Sequence, residues 1–174
     1  MKMNANFPSS KVTTQTGADA LVSALRANDV TTIFGLPGGQ LDHFFDAIHR
    51  SKGGVKIVRS RHEQGAAYMA FGMARSTGKP AVFSVVPGPG LMNTMGALTT
   101  AWATNAPVLS LSGQINSDAI GSGRGHLHEI PDQLATMRTL VKQAERIEAP
   151  HGASPQINDA FITMQSGRPG PVHL

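Results

Sequence analysis

Residues 55–74 read VKIVRSRHEQGAAYMAFGMA. Val55, Ile57 and Val58 make a short apolar strand, residues 59–62 a charged turn, and the remainder a helix whose first turn holds Glu63. Gly65, Ala66, Ala67, Ala70, Gly72 and Ala74 fill that helix with small residues, although each glycine costs about 1 kcal/mol against alanine in a helix. Close packing is therefore expected along it, by a second helix or a second subunit. An acid in a helix's first turn ordinarily complements the macrodipole, for roughly 0.3–1 kcal/mol. At the carboxyl end of a strand in an α/β sheet it also stands where ligands collect, so Glu63 carries both readings.

The same succession of strand, glycine-rich or polar turn and helix extends both ways. Upstream, Thr16 can cap a helix in which Ala18, Leu21, Val22 and Leu25 recur at helical spacing. Residues 30–34 are a β-branched strand, and 35–39 (GLPGG) lead into a helix marked by Leu41, Phe44, Phe45 and Ile48. Downstream, 81–86 pass through Pro87, Gly88, Pro89 and Gly90 into a helix over 91–104, and strand 108–111 ends at Ser112, Gly113 and Gln114. A long polar loop follows over 115–129, and Pro131 opens a short helix through Met137. Residues 141–147 read as an edge strand, 155–165 as the last helix and 171–174 as a sixth strand.

This alternation predicts an α/β fold, a three-layer sandwich with a six-stranded, mostly parallel sheet and helices on both faces. Residues 1–13 read as a flexible polar arm and 14–174 as one domain. The loops at Pro37, Glu63, Pro89 and Gln114 converge at the carboxyl ends of the strands, where such folds place their sites. The last strand stops without a closing turn, so the chain is expected to continue in the natural protein.

Composition removes several function classes. At 174 residues the chain can bury roughly two thirds of its unfolded surface. The formal charge of +4 comes from scattered Lys and Arg, with no dense basic stripe of a nucleic-acid module. The absence of cysteine excludes disulfides, thiolate metal sites and cysteine nucleophiles. Neither a secretory signal nor a membrane span is visible, so a cytoplasmic protein without membrane or nucleic-acid partners is expected. Residues 35–39 lack the Lys-Ser/Thr of a P-loop and the spacing of a dinucleotide fingerprint. Gly121, Gly123 and Gly125 alternate in a polar loop that reads as a lid before it reads as a phosphate cradle. Glycine loops without phosphate signatures suit a flat or bulky ligand that comes close to the backbone.

GLPGG (35–39), RHEQGAAYMA (61–70), PGPGLMN (87–93) and SGQ (112–114), in this order and spacing, resemble the N-terminal pyrimidine-binding domain of thiamin diphosphate enzymes, in the acetolactate synthase and 2-oxo acid decarboxylase group. The resemblance covers residues 14–174. It implies thiamin diphosphate as cofactor, a small 2-oxo acid as substrate, and decarboxylation followed by ligation of the product to a second carbonyl. Simple decarboxylation, or a non-catalytic dimerisation domain of the same fold, are the alternatives. Glu63 matches the glutamate that hydrogen-bonds the pyrimidine ring nitrogen and so promotes loss of the thiazolium C2 proton. Leu36, Pro37 and Gly38 match a loop near the pyrimidine, and Val86, Pro89 and Asn93 match residues lining its pocket. Pro37 and Pro89 are also ordinary turn residues, and Asn93 an ordinary capping residue. Gln114 matches a glutamine that points at the substrate.

The match departs at several points. Acetolactate synthases carry Phe-Gln before a glutamate in the long loop, whereas Leu127 and His128 precede Glu129 here. His126 and His128 resemble, without being adjacent, a histidine pair that relays protons in pyruvate decarboxylase-like enzymes, and His128 is the candidate proton carrier. Lys142 falls where acetolactate synthases hold a substrate-facing lysine, though it can equally snorkel from an edge strand. Gln40 and Leu36 differ from the usual residues at the pocket mouth. The family binds the diphosphate through Mg2+ on a separate domain with a Gly-Asp-Gly motif, which these 174 residues lack. No metal ligands are therefore expected here, FAD is compatible only with a longer protein, and the chain by itself is expected to be inactive. Small residues on the Glu63 helix and at Gly96, Ala97, Ala101 and Ala103 suit a homodimer or tetramer joined by helix packing, or an internal interface.

Overall fold

A computed structural model describes residues 15–174; the N-terminal arm lies outside them. Five parallel strands form one sheet in the order β2-β1-β3-β4-β5. They are β1 (Thr32–Gly35), β2 (Lys56–Arg59), β3 (Ala81–Val85), β4 (Val108–Ser112) and β5 (Val172–His173). β3 is buried at every position, as a central parallel strand covered on both faces requires.

Side chains alternate between two cores. Val82, Leu109, Leu111 and Val172 pack with α1 (Gly17–Ala27), α2 (Asp42–Arg50) and α7 (Ala153–Gln165) on one face. Ala81, Phe83, Val85 and Val108 pack on the other with α3 (Glu63–Thr77), α4 (Pro89–Met92), α5 (Met95–Ala103) and α6 (Gln133–Arg138). The three layers are thus as expected. Ala66, Ala67, Ala70 and Ala74 of α3 are all buried in the second core, so much of its small-residue content serves close approach to the chain's own sheet and to α5.

Four helix starts have local causes. Thr16 caps α1 in a capping box with Asp19, the short 3-10 turn Gly39–Leu41 precedes α2, His62 Nδ1 accepts from Gln64 N at the start of α3 (3.2 Å), and Asp132 rather than Pro131 caps α6. The helix expected over 91–104 is broken in two. Buried Thr94 turns its hydroxyl back onto Leu91 O at 2.7 Å, in competition with the helical ladder, while Asn93 sends its side chain elsewhere.

The sheet has five strands, not six. Residues 141–147 pair with β5 at one bridge, Ala144 to His173, through Lys142 N to Pro171 O, His173 N to Gln143 O and Glu145 N to His173 O. β5 is two residues long and follows Pro171, which accepts but has no N–H to donate, so the ladder cannot lengthen.

From β1 the chain moves outward to β2 and then crosses to β3 on the other side. The β1 loop leads into α2 on one face and the β3 loop into α4 on the other. Folds of this kind place their ligand crevice at that reversal, at the carboxyl ends of β1 and β3.

Candidate functional site

Glu63 is the first residue of α3, beyond the end of β2, and is half-buried. Asn93 Nδ2 donates to its Oε2 at 3.0 Å. Oε1 takes no hydrogen bond from the described residues, and a Cβ built on Gly90 would stand 3.5 Å from it. Val86, just past β3, separates the two loops of the crevice: its Cγ1 would be 2.4 Å from a Cβ on Gly38, and its Cγ2 2.5 Å from one on Gly90. The structure therefore links five of these residues in a chain of contacts, with Asn93 and Gly90 beside the Glu63 carboxyl, Val86 against Gly90, and Gly38 against Val86. Leu36 is half-buried and Pro37 and Pro89 are exposed on the flanking loops.

A second set lies beside this one. Gln40 Oε1 meets His128 Nδ1 at 2.9 Å, and Gln40 Nε2 donates to Leu127 O at 3.4 Å. His128 carries φ +71, and its carbonyl oxygen would lie 2.2 Å from a Cβ on Gly88. Leu127 is 76% exposed. Part of the loop's backbone is already used: Glu129 accepts from Gly123 N and His126 N, both at 2.9 Å. The His126, Gly123 and Gly125 N–H groups hold its carboxyl below the usual carboxylate range. The N–H groups of Gly123 and Gly125 thus face the chain's own carboxylate.

Gln40 and Gln114 also line a cavity of about 380 Å³ bounded by Ser84, Ser112, Gln133 and Leu174. Glu63, Val86 and Asn93 do not line it. Gln114 Oε1 caps its own turn, accepting from Ile115 N at 2.8 Å. Lys142 is not brought to either set. Its ammonium donates to Thr163 O and to Ser166 O, the latter at 2.8 Å, at the carboxyl end of α7.

Gln133 is the residue that sequence reading missed. It is 6% exposed, accepts from Gly88 N at 3.0 Å, and donates to Ser112 Oγ at 2.9 Å and Gly113 O at 3.2 Å. One buried amide thus ties the β3 loop to the end of β4. The available signal was phase: Gln133 stands one helical turn before buried Met137, on the apolar face of α6.

Residues 15–136 match the family model described as the thiamine pyrophosphate enzyme, N-terminal TPP binding domain. The chain belongs to this family. Its TPP-binding domain is 38% identical over 156 residues to the acetolactate synthase large subunit of Haemophilus influenzae, covering 90% of this chain and 26% of that protein. The domain is 40% identical over 159 residues to the acetolactate synthase of Arthrospira platensis, covering 90% and 27%. With a probable 2-ketoarginine decarboxylase of Pseudomonas aeruginosa it shares 37% identity over 161 residues, covering 92% and 28%. The TPP-binding domain thus spans about a quarter of the length of these relatives. No helix among its described residues is long and apolar enough to cross a membrane.

Proposed function

We propose that this chain is the pyrimidine-binding unit of a thiamin diphosphate-dependent enzyme that decarboxylates a 2-oxo acid and joins the product to a second carbonyl compound. The observation that carries the reading is the half-satisfied carboxyl of Glu63, with Asn93 on Oε2 and no hydrogen bond from the described residues on Oε1. A carboxyl oxygen without a protein donor, beside a branched apolar side chain, suits the nitrogen-bearing edge of a flat heteroaromatic ring. When bound, thiamin diphosphate supplies a carbon nucleophile and an electron sink. Glu63 holds the proton at Oε1 and Asn93 fixes the carboxyl's orientation. Val86 supports the ring position, and Leu36, Pro37, Gly38 and Pro89 close its sides. Gln114, Gln40 and Leu127 face the substrate, with His128 handling protons. Lys142, committed to α7, has no part in this assignment.

The diphosphate and its Mg2+ are assigned to residues outside this chain; among the described residues no group of three His, Cys, Asp or Glu side chains could hold a metal ion. Any FAD would lie outside it too. A homodimer or tetramer through α3 and α5 is supported by exposed Tyr68 and Trp102 on these helices (40% and 45%). Simple decarboxylation is the second reading, favoured by His128 at a place where acetolactate synthases carry glutamine and by likeness to a decarboxylase.

Calorimetric titration of thiamin diphosphate with Mg2+ tests the assignment. The enzyme that carries this domain should bind, whereas this chain alone should bind weakly and show no turnover. Glu63→Gln in that enzyme should slow exchange of the cofactor's C2 proton by about 10²-fold or more, with an unchanged thermal midpoint. Unaltered exchange would remove Glu63 from the chemistry.

A further inference from the structure

We propose that Gln40 is a positioning residue that sets the tautomer of His128: it holds the ring proton on Nδ1 and leaves Nε2 as a free lone pair, so that His128 acts first as a proton acceptor. The inference deepens the reading of His128 as the proton-handling group and rests on that reading for its catalytic meaning. Its starting point is the fixed base of the Gln40 side chain. Gln40 lies in the short turn Gly39–Leu41, and its backbone oxygen and Cβ would be 3.0 and 3.1 Å from a Cβ on Gly113. A side chain at 113 would push Gln40 back by a few tenths of an ångström from the end of β4.

The amide orientation follows from Leu127. Gln40 Nε2 faces Leu127 O at 3.4 Å, and that carbonyl receives no other hydrogen bond from the described residues. The reversed amide would set two oxygens against each other and leave the carbonyl without a donor. Gln40 Oε1 therefore faces His128 Nδ1, 2.9 Å away. An amide oxygen only accepts, so Nδ1 must carry the hydrogen. Nε2 then has its lone pair exposed, with no protein partner among the described residues. The ring of a free histidine side chain prefers the opposite arrangement, with hydrogen on Nε2, so the tautomer is imposed by the fold.

The backbone around His128 is held with equal care. Glu129 N donates to His126 O at 2.8 Å, closing a turn in which His128, at φ +71, occupies the third position, where glycine is usual. A solvated loop histidine needs neither this conformation nor a fixed ring partner, and such backbone outliers cluster at functional sites. In operation, Nε2 takes a proton from an O–H or N–H of the bound molecule. The imidazolium keeps its Nδ1–H on Gln40 Oε1, and returning the proton restores the neutral ring. Gln40 itself gains and loses nothing.

Long-range proton–nitrogen correlation spectra of the 15N-labelled chain, recorded at alkaline pH where imidazoles are neutral, read the tautomer without cofactor. Wild-type His128 should show hydrogen on Nδ1. Gln40→Ala should shift the Nδ1–H to Nε2–H ratio by about fivefold toward Nε2–H, the worth of one net hydrogen bond of about 1 kcal/mol. Gln40→Glu, which keeps an acceptor in place, should retain Nδ1–H. Hydrogen on Nε2 in the wild type, an unchanged ratio in Gln40→Ala, or loss of Nδ1–H in Gln40→Glu would each overturn the proposal. Should the alanine variant fail to fold, the wild type and Gln40→Glu decide. Because no ligand is present, failure here is distinct from failure of the role given to Glu63.

Discussion

His173 is 2% exposed, and Ser110 Oγ, 3.1 Å from Nδ1, is the hydrogen-bond partner of its ring. Burial pushes its pKa down from 6.5 to about 4. Between those values the unfolded chain binds more protons than the folded one, so stability falls as pH drops through that window and is fully present above it. The expected loss is on the order of 3 kcal/mol at the acid end. Urea unfolding at pH 7 and pH 4.5 should show it, and His173→Asn should flatten the dependence; parallel pH profiles would contradict this origin. At the same scale, the place of Glu63 was legible, because a charged turn between an apolar strand and a run of small residues puts it in the first turn of α3. Gln133 was not, since a glutamine in a helix's first turn looks solvated until Gly88 N, Ser112 Oγ and Gly113 O are seen converging on it.

Among the elements, α4 depends most on a single backbone conformation. Gly88 has φ +59, gives its N–H to Gln133, and would drive a Cβ to within 2.2 Å of His128 O. Gly88→Ala combines a left-handed strain with a clash against backbone, and should cost about 2–4 kcal/mol. Chemical denaturation would measure it, and a loss below about 0.5 kcal/mol would mean that the β3 loop re-forms freely. Strand β3 was legible because burial on both faces writes an apolar run broken only by Ser84. The split between α4 and α5 was not, because its cause is a competition: Thr94 takes Leu91 O, and Asn93 spends its side chain on Glu63 in a different helix. The edge strand expected over 141–147 failed on pairing, not pattern, since Pro171 and a two-residue β5 leave it one bridge to make.

For the whole molecule, the alternation of strands and helices made the parallel sheet with helices on both faces readable. Strand order was not readable, because nothing in the local pattern says that the crossover from β2 to β3 passes over β1. The assembly question turns on Gly72. It is exposed in the middle of α3, and a Cβ there would meet nothing within 4 Å, so this chain alone gives no packing reason for it. Gly72→Ala should stabilise the isolated chain by about 1 kcal/mol and weaken any self-association through α3, measured by sedimentation. Association unchanged by the added methyl would place the interface elsewhere. Val86 has a different consequence, one for history. Its two methyl groups stand where side chains at positions 38 and 90 would begin. Descendants of this sequence can trim residue 86 at any time, yet can enlarge 38 or 90 only afterwards. The order in which mutations become tolerable is therefore written into the crevice, and one branched residue makes two distant glycines wait on it.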